Sequence, residues 1–202
     1  MGIQININCE YKGARTYIQG PDIYEATIHQ LNELNINGIT NIDLSFHKIV
    51  SNQMTGKLFS EQKDVPTENV SALLRFNHQS TTYFLAISET EKLITERNEY
   101  QEERIVEKCN VEDKTITLNN VELDKFNNLE KIVAMNKFFL TDYFKQIKGK
   151  WIFSKLQTEF DMNTEKPNEI GIILIKNMGV KLTKSTITFD SKKIGTIYFS
   201  MI

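Results

Sequence analysis

A carboxylate and an imidazole stand four residues apart in the segment 21–31, at Glu25 and His29. Pro21 opens this segment, and its apolar residues recur at the spacing of an α-helix. Because residues i and i+4 share one face of a helix, the two groups are expected to lie one turn apart on the same face. Such a pair can give and take a proton. The segment therefore predicts a helix that holds a general acid or base.

Other residues with reactive side chains give weaker signals. His47 lies on the polar face of an alternating strand predicted over 39–50, where solvent exposure is one interpretation and a place at a pocket is the other. Cys9 and Cys109 have neither metal-ligand spacing nor the number needed for a disulfide framework. We read both as buried small apolar residues, and we expect no metal and no cofactor.

Composition narrows the class of protein. The chain has 202 residues, of which 40% are hydrophobic and 25% charged, as in a folded soluble globule. A net charge of −2 gives no electrostatic reason to expect nucleic-acid binding. No apolar run is long enough for a membrane span, and no basic-then-apolar leader is present at the N-terminus. We expect a cytoplasmic protein.

The two halves of the sequence follow a similar order. Segments 9–20 and 109–120 each read as a hairpin, and each precedes a predicted helix and then a strand-rich stretch. The second helix has the broader apolar stripe and is expected to be more deeply buried. We predict two units, 1–90 and 105–202, joined by a charged, solvated connector over 91–104.

Two strands, a long helix and then long antiparallel strands is the order of the hotdog fold, and the sequence resembles that superfamily. Residues 23–31 resemble the helix of β-hydroxyacyl-thioester dehydratases and of polyketide dehydratase domains. The strand 42–50 resembles the next strand of that family and, distantly, the hotdog domains of A-factor-type butyrolactone synthases. The resemblance implies an α+β double hotdog, with two long helices each wrapped by antiparallel strands.

The resemblance also implies a substrate and roles for particular residues. The substrate would be an acyl thioester of acyl carrier protein or coenzyme A, in fatty acid or polyketide biosynthesis, with a homodimer as one possible assembly. Glu25 matches the helix carboxylate of the family, and His29 would pair with it or contact the substrate. The substrate-binding positions would be the helix start, two tyrosines that could donate to the thioester oxygen, and the strand histidine: Gly20, Pro21, Tyr17, Tyr24 and His47. Helix N-termini offer unpaired N–H donors, and this independently favours a carbonyl-polarising role for the start of the helix.

The sequence departs from the dehydratase pattern in two places. Those enzymes carry a catalytic histidine in the loop before the helix, whereas the loops 15–20 and 115–120 contain none. Val133 or a near neighbour occupies the carboxylate position of the second helix, so only one of the two possible sites could be equipped. A dehydratase or hydratase is the nearest model, and a thioesterase, which needs no loop histidine, is the alternative. A non-catalytic acyl-binding accessory protein is the alternative from another class.

Overall fold

The computed structural model describes residues 3–119, 123, 125–179 and 181–202. The chain forms two compact units, Met1–Tyr100 and Gln101–Ile202. Residues 1 and 2 of the predicted first unit, and residue 120 at the end of the second predicted hairpin, lie outside the described residues. No helix in the described part of the chain is long and apolar enough to cross a bilayer.

The first unit combines one long helix with an antiparallel sheet. Its elements are β1 (Gln4–Ile7), β2 (Tyr11–Lys12), α1 (Gly20–Glu33), β3 (Thr40–Phe46), β4 (Asn52–Phe59), a 3-10 turn (Gln62–Asp64), β5 (Ala72–His78), β6 (Thr81–Leu93) and β7 (Arg97–Asn98). The sheet has the order β1-β4-β6-β5-β3. β2 and β7 pair separately, as a short parallel ladder.

The helix α1 forms where the sequence predicts it. Pro21 stands in its first turn, where the missing N–H of proline costs nothing. Ile23, Thr27 and Leu31 are buried along one face. Asn35, just past the end, has a φ of 61°, in the left-handed region that commonly terminates helices. The helix thus buries one face in the unit and leaves the opposite face, with Glu25, exposed.

The second unit repeats this arrangement of helix and strands. Its elements are α2 (Glu103–Val106), β8 (Cys109–Glu112), β9 (Thr115–Asn119), α3 (Asn128–Tyr143), β10 (Trp151–Phe160), a 3-10 turn (Met162–Thr164), β11 (Glu169–Met178), β12 (Leu182–Phe189) and β13 (Lys192–Met201). The antiparallel order is β10-β13-β12-β11-β9-β8. α3 has more buried residues than α1, as its broader apolar stripe predicts.

The order of the last two strands differs between the units. Each unit contains an antiparallel hairpin, β5–β6 with its turn at Gln79 and β12–β13 with its turn at Asp190 and Ser191, and all three turn residues have positive φ. In the second unit β11 pairs with the first strand of its hairpin, β12, whereas in the first unit β4 pairs with the second strand, β6. The predicted correspondence of the halves therefore does not extend to strand order.

The segment before α1 does not form the predicted hairpin. Only Tyr11 and Lys12 form a strand there, β2. They pair with Arg97 and Asn98 of β7 and not with a second strand of the same segment. The corresponding hairpin of the second unit, β8–β9, does form, with Asp113 in its turn at a φ of 48°. In the range 91–104, β6 continues to Leu93, β7 follows, and α2 begins at Glu103.

Candidate functional site

A cleft of about 480 Å³ lies along the exposed face of α1 in the first unit. Glu25 and His29, the predicted acid–base pair, both line it. Its other lining residues come from the β1 region, from β2, from α1 itself and from β7: Asn6, Asn8, Cys9, Glu10, Lys12, Asp22, Ala26, Gln30 and Asn98. The structure therefore brings together side chains that are far apart in sequence around one face of the helix.

Glu25 and His29 are both exposed within this cleft. The His29 side chain is 69% exposed, and its Nε2 lies 3.9 Å from Oε1 of Glu33, one turn further along the helix. The helix face thus presents a carboxylate and an imidazole to solvent, where both can exchange protons with water or with a bound molecule.

None of the predicted substrate-binding residues is among those that line the cleft. Tyr24 and Pro21 are buried, with Tyr24 only 1% exposed in the core of the unit. Tyr17 and Gly20 are half-buried, and His47 is exposed just after β3, where its backbone N–H donates to the carbonyl of Ser71 at 2.8 Å.

The start of α1 is already hydrogen-bonded. The backbone N–H groups of Asp22 and Ile23 donate to the carbonyl oxygen of Gln19, at 3.1 and 3.2 Å. The family resemblance assigns to these amides the role of polarising the thioester carbonyl of the substrate. No side chain caps this end of the helix at Gln19.

An ion pair joins the cleft wall to the first turn of the helix. Nζ of Lys12 lies 2.5 Å from Oδ1 of Asp22, and the two side chains are only 19% and 10% exposed. The same ammonium group lies 5.3 Å from the ring centroid of Tyr100, within cation–π distance. Sequence reasoning missed this pair because nothing local relates a residue before the helix to one inside it.

The strand β7 supplies a second wall through a strap formed by residues 95–100. The guanidinium of Arg97 donates through Nη1 to the carbonyl oxygens of Gly13 and Arg15, at 2.5 and 2.8 Å, and lies 5.0 Å from the Tyr11 ring. The side-chain amide of Asn98 donates to the carboxylate of Glu10. These contacts hold the strap against the segment that carries Lys12.

Cys9 lines the cleft and is 7% exposed. Its backbone N–H donates to Oε1 of Gln53 at 2.7 Å, and its carbonyl accepts from Nε2 of Gln53 at 2.9 Å. Burial, and secondarily the negative charge of Asp22, raise the pKa of the Cys9 thiol to about 12, although Lys12 acts in the opposite direction. The thiol is therefore protonated at neutral pH, which disfavours a nucleophilic role.

The corresponding end of α3 in the second unit is closed. Asn127 and Glu130 form a capping box, with the Glu130 N–H donating to Oδ1 of Asn127 at 2.8 Å. The Leu129 N–H donates to Oδ1 of Asn163 at 3.1 Å, and the Asn128 side chain donates to the carbonyls of Met162 and Glu165. The residues around the 3-10 turn thus cover the start of α3. Among the described residues no group of His, Cys, Asp and Glu side chains is arranged to hold a metal ion.

Comparison with solved structures shows the hotdog fold. A tesB protein of Mycobacterium avium subsp. paratuberculosis matches with a TM-score of 0.53 and 7% identity, over 96% of this chain and 91% of that one. A candidate thioesterase II from Thermobifida fusca YX matches with a TM-score of 0.50 and 6% identity, over 98% and 91%. The dehydratase domain of MlnD from Bacillus amyloliquefaciens aligns with a TM-score of 0.46 and 10% identity, over 94% and 86%.

The chain is therefore a hotdog-fold protein, as its order of helices and strands predicts. No protein-family model and no curated protein matches its sequence. At these identities the comparisons define the fold alone.

Proposed function

We propose that this protein is an enzyme that acts on acyl thioesters of acyl carrier protein or coenzyme A, with Glu25 as its general acid or base. The observation that carries the proposal is the position of Glu25, which is exposed on a cleft-lining face of α1 together with His29. The resemblance of residues 23–31 to the catalytic helix of hotdog dehydratases supports the same assignment.

The two units are, in this proposal, two copies of a hotdog with one working site. Each has a long helix that is preceded by strand and followed by antiparallel strands, which supports a duplication. At the start of α3, the side chains of Asn127 and Asn163 accept from the backbone N–H groups of Glu130 and Leu129. Further along this helix, Val133 or a near neighbour stands where the carboxylate would be. A single site in the first unit is therefore proposed.

Dehydration or hydration of a β-hydroxyacyl group is the first candidate reaction. Elimination breaks the C–H bond next to the thioester carbonyl and the C–O bond at the β carbon, forms a double bond between these two carbons, and releases the hydroxyl as water. One group must take the proton and another must give one to the leaving oxygen. We assign these roles to Glu25 and His29, which lie at positions i and i+4 of α1 and both line the cleft.

Hydrolysis is the second candidate, and a separate observation favours it. The loop 15–20 lacks the histidine of the dehydratases, while Glu25 is accessible to water. A carboxylate acting as a base can take a proton from water, which attacks the thioester carbon while the thiolate leaves. The products are a carboxylic acid and a thiol. Only one protein carboxylate is needed, so the missing histidine is no obstacle.

A panel of acyl-pantetheine thioesters tests the proposal and separates the reactions. Hydrolysis releases a free thiol, whereas dehydration changes the absorbance of the acyl chain without releasing thiol. We expect Glu25→Gln to lower turnover by about a hundredfold or more, the usual contribution of a general acid or base. Because Glu25 is exposed, the free energy of unfolding should change by less than about 0.5 kcal/mol.

The matched control is Glu68→Gln, which removes one exposed carboxylate of the same unit that does not line the cleft. Its turnover should equal that of the unmodified protein. Full turnover in Glu25→Gln would exclude the proposed acid–base role. If a thioester binds but no product forms, the protein is a non-catalytic acyl-binding protein and not an enzyme.

A further inference from the structure

Most side chains that line the cleft beside α1 end in a polar or charged group, and their apolar stems form part of its surface. Of the side chains that line it, only those of Cys9 and Ala26 carry no amide, carboxylate, ammonium or imidazole group. Sites that take drug-sized apolar ligands are lined mainly by aliphatic and aromatic side chains. A long alkyl chain in this cleft could contact those apolar stems, but it would also remove water from the amides and carboxylates without offering them hydrogen bonds, which is unfavourable.

Charge in the cleft is predominantly negative. Glu10, Asp22 and Glu25 contribute carboxylates, and Lys12 contributes the ammonium group of the lining. The formal charge of these lining side chains is therefore −2 when His29 is neutral. Lys12 lies 2.5 Å from Asp22, so its positive charge is directed at a protein carboxylate. Glu10 and Glu25 set the sign of the field that an entering group meets.

We infer that the cleft selects short, polar acyl groups, with a positively charged amino-acyl group preferred over a carboxyl-bearing one, and discriminates against long alkyl chains. This inference rests on the proposed function, because it names the substrate class of the same site. The amides of Asn6, Asn8 and Asn98 offer both donors and acceptors to a hydroxyl or an ammonium group. The volume of about 480 Å³ is ample for a group of this size.

The orientation of Asn98 adds to the preference for a cation. Its side-chain amide donates to the carboxylate of Glu10, so the strap fixes this carboxylate at the cleft wall. A carboxylate held in place loses less conformational entropy on binding a ligand than a mobile one does. Glu10 is therefore the residue whose removal should reduce the preference for a cation without removing the proposed acid–base group.

The experiment measures binding of four amide analogues of acyl pantetheine, which cannot be hydrolysed, by calorimetry at low salt. The acyl groups are β-aminobutyryl, β-hydroxybutyryl, succinyl and decanoyl. We expect β-aminobutyryl to bind about tenfold more tightly than succinyl, a ratio that should fall as salt screens the charges. β-Hydroxybutyryl should bind more tightly than decanoyl.

Two variants locate the effect. Glu10→Gln should reduce the ratio between β-aminobutyryl and succinyl severalfold, whereas Glu68→Gln, which makes the same charge change away from the cleft, should leave it as it is. Tightest binding of decanoyl, or equal binding of the amino and carboxyl analogues, would overturn this inference and leave the proposed function standing. Binding of none of the four would overturn both.

Discussion

Nζ of Lys12 lies 2.5 Å from Oδ1 of Asp22, which ties β2 to the first turn of α1 at the edge of the cleft. The two side chains are mostly shielded from solvent, so neither charge is fully hydrated. A pair in this position differs from an exposed ion pair, because the loss of one partner leaves the other charge without its compensation in a poorly solvated place. The pair therefore helps to decide where the helix begins relative to the cleft wall.

A double-mutant cycle with Lys12→Met and Asp22→Asn measures this coupling. Each single change should lower the free energy of unfolding by about 1–3 kcal/mol, and the double variant should lose less than the sum, with a coupling of about 1 kcal/mol or more. Urea unfolding of the four proteins gives the values. Additive effects within about 0.3 kcal/mol would show that the pair contributes nothing as a pair.

Arg97 should hold the strap 95–100 against the segment before α1. A guanidinium can donate to two carbonyls while lying over a ring, and lysine cannot reproduce both contacts. We expect Arg97→Lys and Arg97→Ala to speed hydrogen exchange at the amides of Tyr11 and Gly13, which donate to the carbonyls of Glu96 and Asn98 in the folded protein. Exchange measured by mass spectrometry or NMR reports this directly.

The control for that prediction is Arg104→Ala, which removes an exposed arginine of α2 in the other unit. Exchange at residues 11–13 should then match the unmodified protein. Unchanged exchange in Arg97→Ala would mean that the parallel β2–β7 ladder holds without the arginine.

The sequence could predict those features that depend on residues close together in the chain. Helix α1 was predictable because Ile23, Thr27 and Leu31 recur at helical spacing after Pro21, and the turn at Asp190 because polar residues separate two apolar runs. These signals are local. Glu25 and His29 were found for the same reason, since their placement on one helix face needs only the helical period.

The remainder of the site depends on contacts between distant segments. Asn98 reaches the cleft only because β7 pairs with β2 across more than eighty residues of sequence. The order of β5 and β6 was equally inaccessible, because both arrangements keep every neighbour antiparallel and bury the same alternating face. A hairpin read from residues alone does not say which of its strands meets β4.

The thiol of Cys9 should be inert in the folded protein. Its pKa is raised to about 12, and that of the less buried Cys109 to about 11, by burial in both cases. Iodoacetamide at mildly alkaline pH should therefore modify Cys109 before Cys9, and both should react at once in denaturant, because the thiolate is the reactive form. Peptide mapping of timed samples distinguishes the two sites. Modification of native Cys9 at the rate of a free thiol would contradict the burial argument.

The raised pKa of Cys9 also fixes a pH dependence of stability. Above about pH 9 the unfolded chain releases this proton while the folded protein keeps it until about pH 12. The unfolded state then binds fewer protons than the folded state, so the free energy of unfolding falls as the pH rises through this window. Below the window, the stabilising contribution of the Cys9 thiol is present in full. The fall above pH 9 should be shallower in Cys9→Ala than in the unmodified protein. Equal slopes would show that the thiol titrates alike in both states.

A buried polar pair in the second unit should lower the free energy of unfolding relative to an apolar pair at the same positions. Asn136 of α3 and Ser185 of β12 are fully buried, and the Ser185 hydroxyl donates to Oδ1 of Asn136 at 3.1 Å. Nδ2 of Asn136 has no hydrogen-bond partner among the residues that the structure describes. A buried donor left without a partner costs about 1–3 kcal/mol, while removing both members of a pair in favour of apolar groups is often neutral or stabilising.

The double variant Asn136→Leu/Ser185→Ala should therefore be as stable as the unmodified protein or more stable by about 1 kcal/mol, helped by the better helix propensity of leucine. Ser185→Ala alone should lower the free energy of unfolding by about 1 kcal/mol or more, because it also deprives Oδ1 of its donor. Denaturant unfolding of the three proteins decides the matter. A double variant less stable than the single one would contradict the argument that removing the whole pair is favourable.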